Sequence, residues 1–407
     1  MGLCLVGGKI LTPLREITDG VVVIEKGSIF SIQQKPPKTC KARQEINVRG
    51  LFVAPGFIDI HVHGGGGHDV MEGSVEALEA IAMAHARGGT TAWLATTLTA
   101  SIDQISEALH AIQRATKLPL GGARLLGAHL EGPYLSPEQA GAQNPRYLKL
   151  PDPEEYAVLF DKFPCIKRVS AAPEIPGGLE LGQELRRRGI LASIAHSNAT
   201  YQQVLKAIEC GYTHVTHIYS GTSMVRRVKA YRFAGIVEAA LLLDTLTVEM
   251  IADGHHLPPS LMKLIIKAKR PDRVCVVTDA ISATGLGSGR FKLGALDIIV
   301  EDQAPEDYEV KIQPGNYVAK LVDRSAFAGS VATMNAMVKN LVKLVELPLL
   351  EAVKMATLVP ARVLGIVHER GTIAPNMKAD LVVFDETFDV HMTIVEGNVV
   401  YAKEQYK

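Results

Sequence analysis

The chain has 407 residues, 47% of them hydrophobic, and its 43 basic and 43 acidic side chains cancel. That length and a mean hydropathy of +0.14 allow a large buried core, with room for one large domain and a smaller one. With Lys and Arg scattered and a pI near 7.2, the chain lacks the basic field that draws nucleic acid or anionic membrane, so a small-molecule partner is expected.

The opening MGLCLVGGKILTP is too short and too glycine-broken for a secretion signal, and Val6 stands where an acylation motif needs Ser or Thr. The five cysteines (Cys4, Cys40, Cys165, Cys210, Cys275) are dispersed, odd in number and never spaced as CxxC. They argue against a disulfide framework or thiolate metal site and for a reducing, cytoplasmic setting, in which the sequon at Asn198 has no consequence.

Residues 1–54 alternate short β-rich runs with turns, as in LCLVGGKIL, VVVIEKGSIFSI and EINVRGLFVAPG. The same texture returns over 361–407, in GTIAPNMKADLVVFDETFDVHMTIVEGNVVY, so the two ends are expected to form one split β-sandwich domain. Over 55–360 the pattern changes to short apolar runs at 57–63, 90–96, 124–131, 166–174, 191–196, 214–220, 248–254 and 274–280. Helical segments such as SVEALEAIAMAHARGG, PGGLELGQELRRRG, NATYQQVLKAIECG and PPSLMKLIIKAKR fit between them. Eight β/α units predict an α/β fold of the TIM (β/α)8 barrel type, with a doubly wound sheet as the alternative. The stretch 281–330 is too long for a simple connection and reads as a β-rich insertion over the barrel mouth.

In such a barrel the active site lies at the C-terminal ends of the strands. The first run, FIDIHVHGGGGHD, puts Asp59, His61 and His63 on one strand face. The third ends in Glu131, the fifth in His196, the sixth in His217 and the eighth in Asp279. Taken singly, each has an ordinary explanation: a satisfied core histidine, a helix cap, a loop former. Together they place four imidazoles and two carboxylates at one mouth, a donor set suited to zinc, iron or manganese.

PGFIDIHVHG, HLEGPY, SIAHS, VTHIYSG, IADGHH and VTDAI, in this order and across nearly the whole chain, resemble the amidohydrolase superfamily and, within it, the N-acetylglucosamine-6-phosphate deacetylase family. HLEGP is the most specific of these motifs. The resemblance implies a barrel with a split β-domain, a homodimer, and one or two divalent transition metal ions per subunit. His61, His63 and Asp279 would hold one ion and His196 and His217 a second, with Glu131 bridging them. Some members carry Gln-x-Asn in place of His-x-His and keep a single ion, whereas this chain has the full set. Asp279 would also serve as general base and acid.

Two departures bear on the substrate. QAGAQNP places Gln143 where the family commonly has a histidine touching substrate, and HIYSGTS places Ser220 and Gly221 where many members have Asn-Ala. A glutamine still donates a hydrogen bond but cannot titrate. The resemblance assigns phosphate contacts to Arg227, in SMVRRVKAYRFAG, and to His256, and a substrate-closing loop to AFAGSVATMN with Ser330. The arginine run reads equally well as a solvated face.

The implied activity is hydrolysis of the acetamide of N-acetylglucosamine-6-phosphate. N-acetylgalactosamine-6-phosphate and cyclic amides are the competing substrates. Cyclic-amide hydrolases bridge their metals with a modified lysine ending strand four, but here that strand ends SAAPE and Lys167 lies at its start. A catalytically silent relative would lack Asp279 or a ligand, and none is missing.

Overall fold

The computed structural model describes residues 2–34, 44–302, 304–310 and 317–406. Eight parallel strands form the central sheet: Phe57–Val62, Thr90–Thr96, Arg124–Glu131, Ile166–Ala171, Leu191–Ile194, Tyr212–Val215, Thr247–Ile251 and Val274–Val277, paired in chain order. A parallel bridge from Val62 to Ala280 joins the last strand to the first and closes the barrel. Most of the strand residues are buried, as expected where helices cover the outside and side chains fill the inside.

The helices start and stop where the chain signals it. Ser74 caps Val75–Arg87, and a Thr200–Gln203 capping box opens Tyr201–Glu209. Gly189, in the left-handed conformation at φ 69°, ends Gly178–Arg188. Pro258 and Pro259 open Pro259–Lys269.

Six strands stop short of the predicted runs, the first at Val62 by a single residue, the seventh at Ile251, and four more. The fourth ends at Ala171, the fifth at Ile194, the sixth at Val215 and the eighth at Val277. Backbone conformation accounts for three of these: His196, His217 and Asp279 have φ of 41°, 25° and 50°, left-handed values that no strand accommodates.

Strands from both chain ends build a second, mainly antiparallel sheet. Its central path runs Asn398–Ala402, Val390–Val395, Leu381–Phe384, Phe52–Pro55, Gly2–Leu11, Glu16–Glu25, Ser28–Gln33, and Gln44–Asn47 pairs alongside Gly2–Leu11. Its core of Leu5, Ile10, Val22, Ile24, Val53, Leu381 and Ile394 is separate from the barrel core. The predicted insertion contains a three-stranded antiparallel sheet, Gly289–Leu293, Leu296–Glu301 and Val318–Leu321. The cysteine reading needs one correction: Cys4 is disulfide-bonded, because dispersal along the chain does not control which thiols meet in space, while Cys165, Cys210 and Cys275 are free. Cys40 lies outside the described residues.

Candidate metal centre

The pleat of the first strand aims Asp59, His61 and His63 into the barrel, and the glycines that follow let the chain turn away at once. A Cβ on Gly64 would lie 2.4 Å from the His68 carbonyl and 2.6 Å from the Ser282 amide, and Gly66 and Gly67 have φ of 62° and 93°. The four-glycine run is therefore a requirement of close backbone approach beside the histidines.

At the mouth the six expected residues meet. The Nε2 of His61 lies 3.6 Å from Glu131 Oε1 and 3.4 Å from Asp279 Oδ1, and that of His63 lies 3.2 Å from Glu131 Oε2 and 3.3 Å from Asp279 Oδ1. On the other side of Glu131, His196 and His217 bring their Nε2 atoms to 3.5 and 3.1 Å from Oε1. All six side chains are buried or nearly so.

Each imidazole is held from behind by a group that can only accept. His61 Nδ1 donates to Glu249 Oε2 (3.1 Å), His63 Nδ1 to the Thr96 carbonyl (3.2 Å), His196 Nδ1 to the Gln139 carbonyl (2.8 Å) and His217 Nδ1 to the Ser220 carbonyl (3.0 Å). The proton therefore sits on Nδ1, and the Nε2 lone pair faces inward.

The charges are strongly coupled. Burial alone would lower the His61 and His63 pKa values, but the facing carboxylates outweigh it, holding His61 well above its ordinary value and His63 at about 9. Burial alone would raise Glu131 and Asp279, yet the surrounding histidines hold both below the usual carboxylate range.

Beneath the mouth lies a layer the motif reading missed. Arg168, fully buried, pairs with Glu249 and donates to Ser193 Oγ (3.0 Å), Thr216 Oγ1 (2.8 Å) and the Ile60 carbonyl (3.2 Å). Glu249 Oε2 accepts both His61 Nδ1–H and, at 3.1 Å, the His217 backbone N–H. His129 bonds Thr96 Oγ1 and Ser170 Oγ and, under burial and the Arg168 charge, lies well below its usual pKa. The signal was present in IKRVSA and TVEMI: a charged residue inside an otherwise buried barrel strand requires a partner there.

The cluster opens into a cavity of about 280 Å³ whose walls include Tyr219, Ser220, Gly221, Gln143, His256 and Phe327. Gln143 is pinned at both ends, its Oε1 accepting the Thr99 N–H (2.9 Å) and its Nε2 donating to Glu131 Oε2 (2.8 Å). His256 is fixed by Asp253, Nδ1 to Oδ2 at 2.7 Å. Two expected contacts lie elsewhere. Ser330 directs its hydroxyl at the Thr278 carbonyl (2.6 Å) while Gly329 lines the cavity. Arg227 is exposed on the hairpin Arg226–Val228 and Tyr231–Phe233, outside the cavity wall.

The Amidohydrolase family matches residues 52–400. The chain belongs to the amidohydrolase family. Among curated relatives of this amidohydrolase, an N-acetylgalactosamine-6-phosphate deacetylase of Escherichia coli O157:H7 is 32% identical over 96% of this chain and 97% of its own. An N-acetylglucosamine-6-phosphate deacetylase of Bacillus subtilis is 31% identical over 97% of this chain and 96% of its own. The crystal structure of N-acetylglucosamine-6-phosphate deacetylase from Pasteurella multocida superposes with a TM-score of 0.88 at 29% identity, covering 99% of this chain and 100% of that one. Among the described residues, no helix of the amidohydrolase is long and apolar enough to cross a membrane.

Proposed function

We propose that this amidohydrolase is a metal-dependent deacetylase that hydrolyses the acetamide of N-acetylglucosamine-6-phosphate to glucosamine-6-phosphate and acetate. The observation that carries the reading is the ring of four inward Nε2 lone pairs around Glu131 and Asp279, beside a cavity of sugar-phosphate size. Near-full-length similarity to deacetylases of that substrate supports it.

The donor set fits a divalent cation. Four imidazole lone pairs and two carboxylates, crowded within 4.8 Å in their triads, otherwise draw protons onto His61 and His63, and a cation takes the place of those protons. His61, His63 and Asp279 would hold one ion and His196 and His217 a second, with Glu131 available to both. Such an ion would polarise the amide carbonyl and acidify a water toward neutrality.

The protein's own residues do the rest. Asp279 takes a proton from the attacking water and returns it to the departing amine nitrogen, so the C–N bond breaks without expelling an amide anion. Gln143 holds Glu131 in orientation, and Ser220 and Gly221 line the sugar's place. His256 faces the phosphate as a cation, because Asp253 overcomes the burial that would discharge it. Arg227 lies outside the cavity wall and reaches a substrate only if a second copy brings it there, and Ser330 acts through the Thr278 and Asp279 backbone that it holds. The exposed hairpin, which carries Val228, Tyr231 and Phe233 among Arg226, Arg227 and Arg232, supports a second copy covering it, so the reading extends to a homodimer.

Acetate release from N-acetylglucosamine-6-phosphate, its galactose epimer, the unphosphorylated sugar and a cyclic ureide tests the proposal. The phosphorylated glucosamine derivative is expected to be fastest, with loss of phosphate costing at least ~2 kcal/mol in kcat/KM. Equal turnover of the unphosphorylated sugar would remove the phosphate assignment, and exclusive ureide hydrolysis would remove the reaction. A monomer mass by light scattering would remove the dimer.

A further inference from the structure

A larger cavity, about 450 Å³, adjoins the metal centre and is separated from it by a partition one side chain thick: Leu98, Ala142, Gln143 and Leu293 line both spaces. Its far wall is the first hairpin of the insertion. That hairpin is tied down by Ser282 Oγ donating to the Lys292 carbonyl (3.0 Å) and by the Gly294 N–H donating to Asp69 Oδ2 (3.3 Å).

The position of this cavity relative to the substrate follows from strand order. In the proposed reading the phosphate lies toward His256 and the sugar beside Ser220, in the loops after strands seven and six. In a closed ring of eight, those strands stand opposite strands three and two. Leu98 follows strand two and Gln143 follows strand three. An amide at the metal centre has two sides. If the sugar nitrogen runs toward strands six and seven, the acyl carbon points at the partition and at the second cavity behind it.

The lining is suited to a chain rather than a charge. Leu98 and Leu293 are buried and Met71, Ala100, Ala142 and Phe291 partly so; of the polar lining, Asp69 already accepts the Met71 and Gly294 N–H groups, Ser282 donates to the Lys292 carbonyl, and Glu72, Gln104 and Lys292 are exposed. Gln143 is fixed by its two hydrogen bonds, whereas the leucine pair is held in the partition by apolar packing alone.

We propose that this second cavity is an acyl-chain subsite, and that the enzyme cleaves N-acyl glucosamine-6-phosphates bearing aliphatic acyl groups larger than acetyl, releasing the corresponding carboxylate. The inference rests on the deacetylase reading and on the sugar lying toward strands six and seven.

The test compares kcat/KM for N-acetyl-, N-propanoyl-, N-butanoyl- and N-hexanoylglucosamine-6-phosphate, by amine release, in the metal-loaded wild type and in Ala100→Phe. Ala100 lines the second cavity and not the first. The wild type is expected to keep the butanoyl compound within about tenfold of acetyl, given that a single methylene lacking its place costs about that much. Ala100→Phe should lower butanoyl and hexanoyl turnover by about tenfold or more relative to acetyl, whose own rate stays within about twofold. Leu296→Trp, which fills the same cavity from the insertion, replaces it if Ala100→Phe does not fold. Normal acetyl turnover with a larger loss on butanoyl, or a filled cavity that leaves the acyl preference unchanged, overturns the subsite alone. No turnover of the acetyl compound overturns the deacetylase reading beneath it.

Discussion

Glu249→Gln is the perturbation that most directly probes how the centre is built. One carboxylate accepts from His61 Nδ1 and the His217 N–H on one oxygen and pairs with Arg168 on the other, so it touches both groups of histidines at once. An amide cannot do both. With its oxygen toward the histidines its NH2 confronts the guanidinium, and in the reverse orientation the NH2 meets two N–H donors. Either way Arg168 stays buried without a counter-charge, which costs about 3–5 kcal/mol. At ~2.1 cal/mol/K per residue, a chain of 407 residues has an unfolding entropy of roughly 0.85 kcal/mol/K, so the melting point should fall by about 5 °C. Metal affinity should fall about 10- to 100-fold, since His61 loses the acceptor that fixes its tautomer. Calorimetry and chelator competition measure the two effects. Arg168→Met with Glu249→Met removes both charges and should recover most of the melting point while leaving metal retention weak. A Glu249→Gln protein that melts with the wild type and holds metal equally well would refute the argument.

Asp279→Asn should keep the fold yet lose at least about 100-fold in kcat, because an amide cannot relay the proton; near wild-type turnover in single-turnover assays would move that role elsewhere. Gln143→Ala frees one oxygen of Glu131 and should lower kcat/KM about tenfold with the bound metal retained, as elemental analysis can check. Burial would lower His256, but Asp253 raises it above 6.5, so the cationic contact is fully present below pH 6.5 and is lost as pH rises through the higher folded value. KM for the phosphorylated sugar should therefore climb on the alkaline side, and Asp253→Asn should move that climb to lower pH. A pH profile of KM identical in wild type and variant would remove His256 from phosphate recognition.

The barrel was legible because its signals are local. Period-two alternation fixed which face of 57–63 carries His61 and His63, glycine stops and capping residues bounded the helices, and the spacing of the eight apolar runs defined the ring. The six residues at the mouth were legible for the same reason, each ending a separate run. Contacts that depend on distant parts of the chain were not. Arg168 and Glu249 are 81 positions apart and look like isolated charges in sequence. Gln143 reads as a substrate contact and does line the cavity, but nothing in the sequence shows that Thr99 and Glu131 also hold it. Ser330 lies in the anticipated loop, but its hydroxyl satisfies a carbonyl of strand eight's extension instead of facing the cavity.

The early strand endings connect these two levels. Side-chain pattern carried the strands on through His196, His217 and Asp279, yet all three residues sit in left-handed backbone, a conformation that costs of order 1–3 kcal/mol for a residue with a Cβ. The surrounding structure holds them there through the backbone: the Asp279 N–H donates to the His61 carbonyl (3.0 Å) and its carbonyl accepts from Ser330 (2.7 Å), the His196 carbonyl accepts from Ser136 (2.9 Å), and the His217 N–H reaches Glu249. An extended strand would send successive side chains to opposite faces, whereas the left-handed turn lets a terminal residue lean over the barrel axis. That is what brings ligands from strands one, three, five, six and eight within bonding distance of one another. The local rule fails at the residues carrying the chemistry because convergence on one point requires it to fail, and the Ser330 hydrogen bonds that look unrelated to substrate hold Asp279 in the conformation its proton transfer needs.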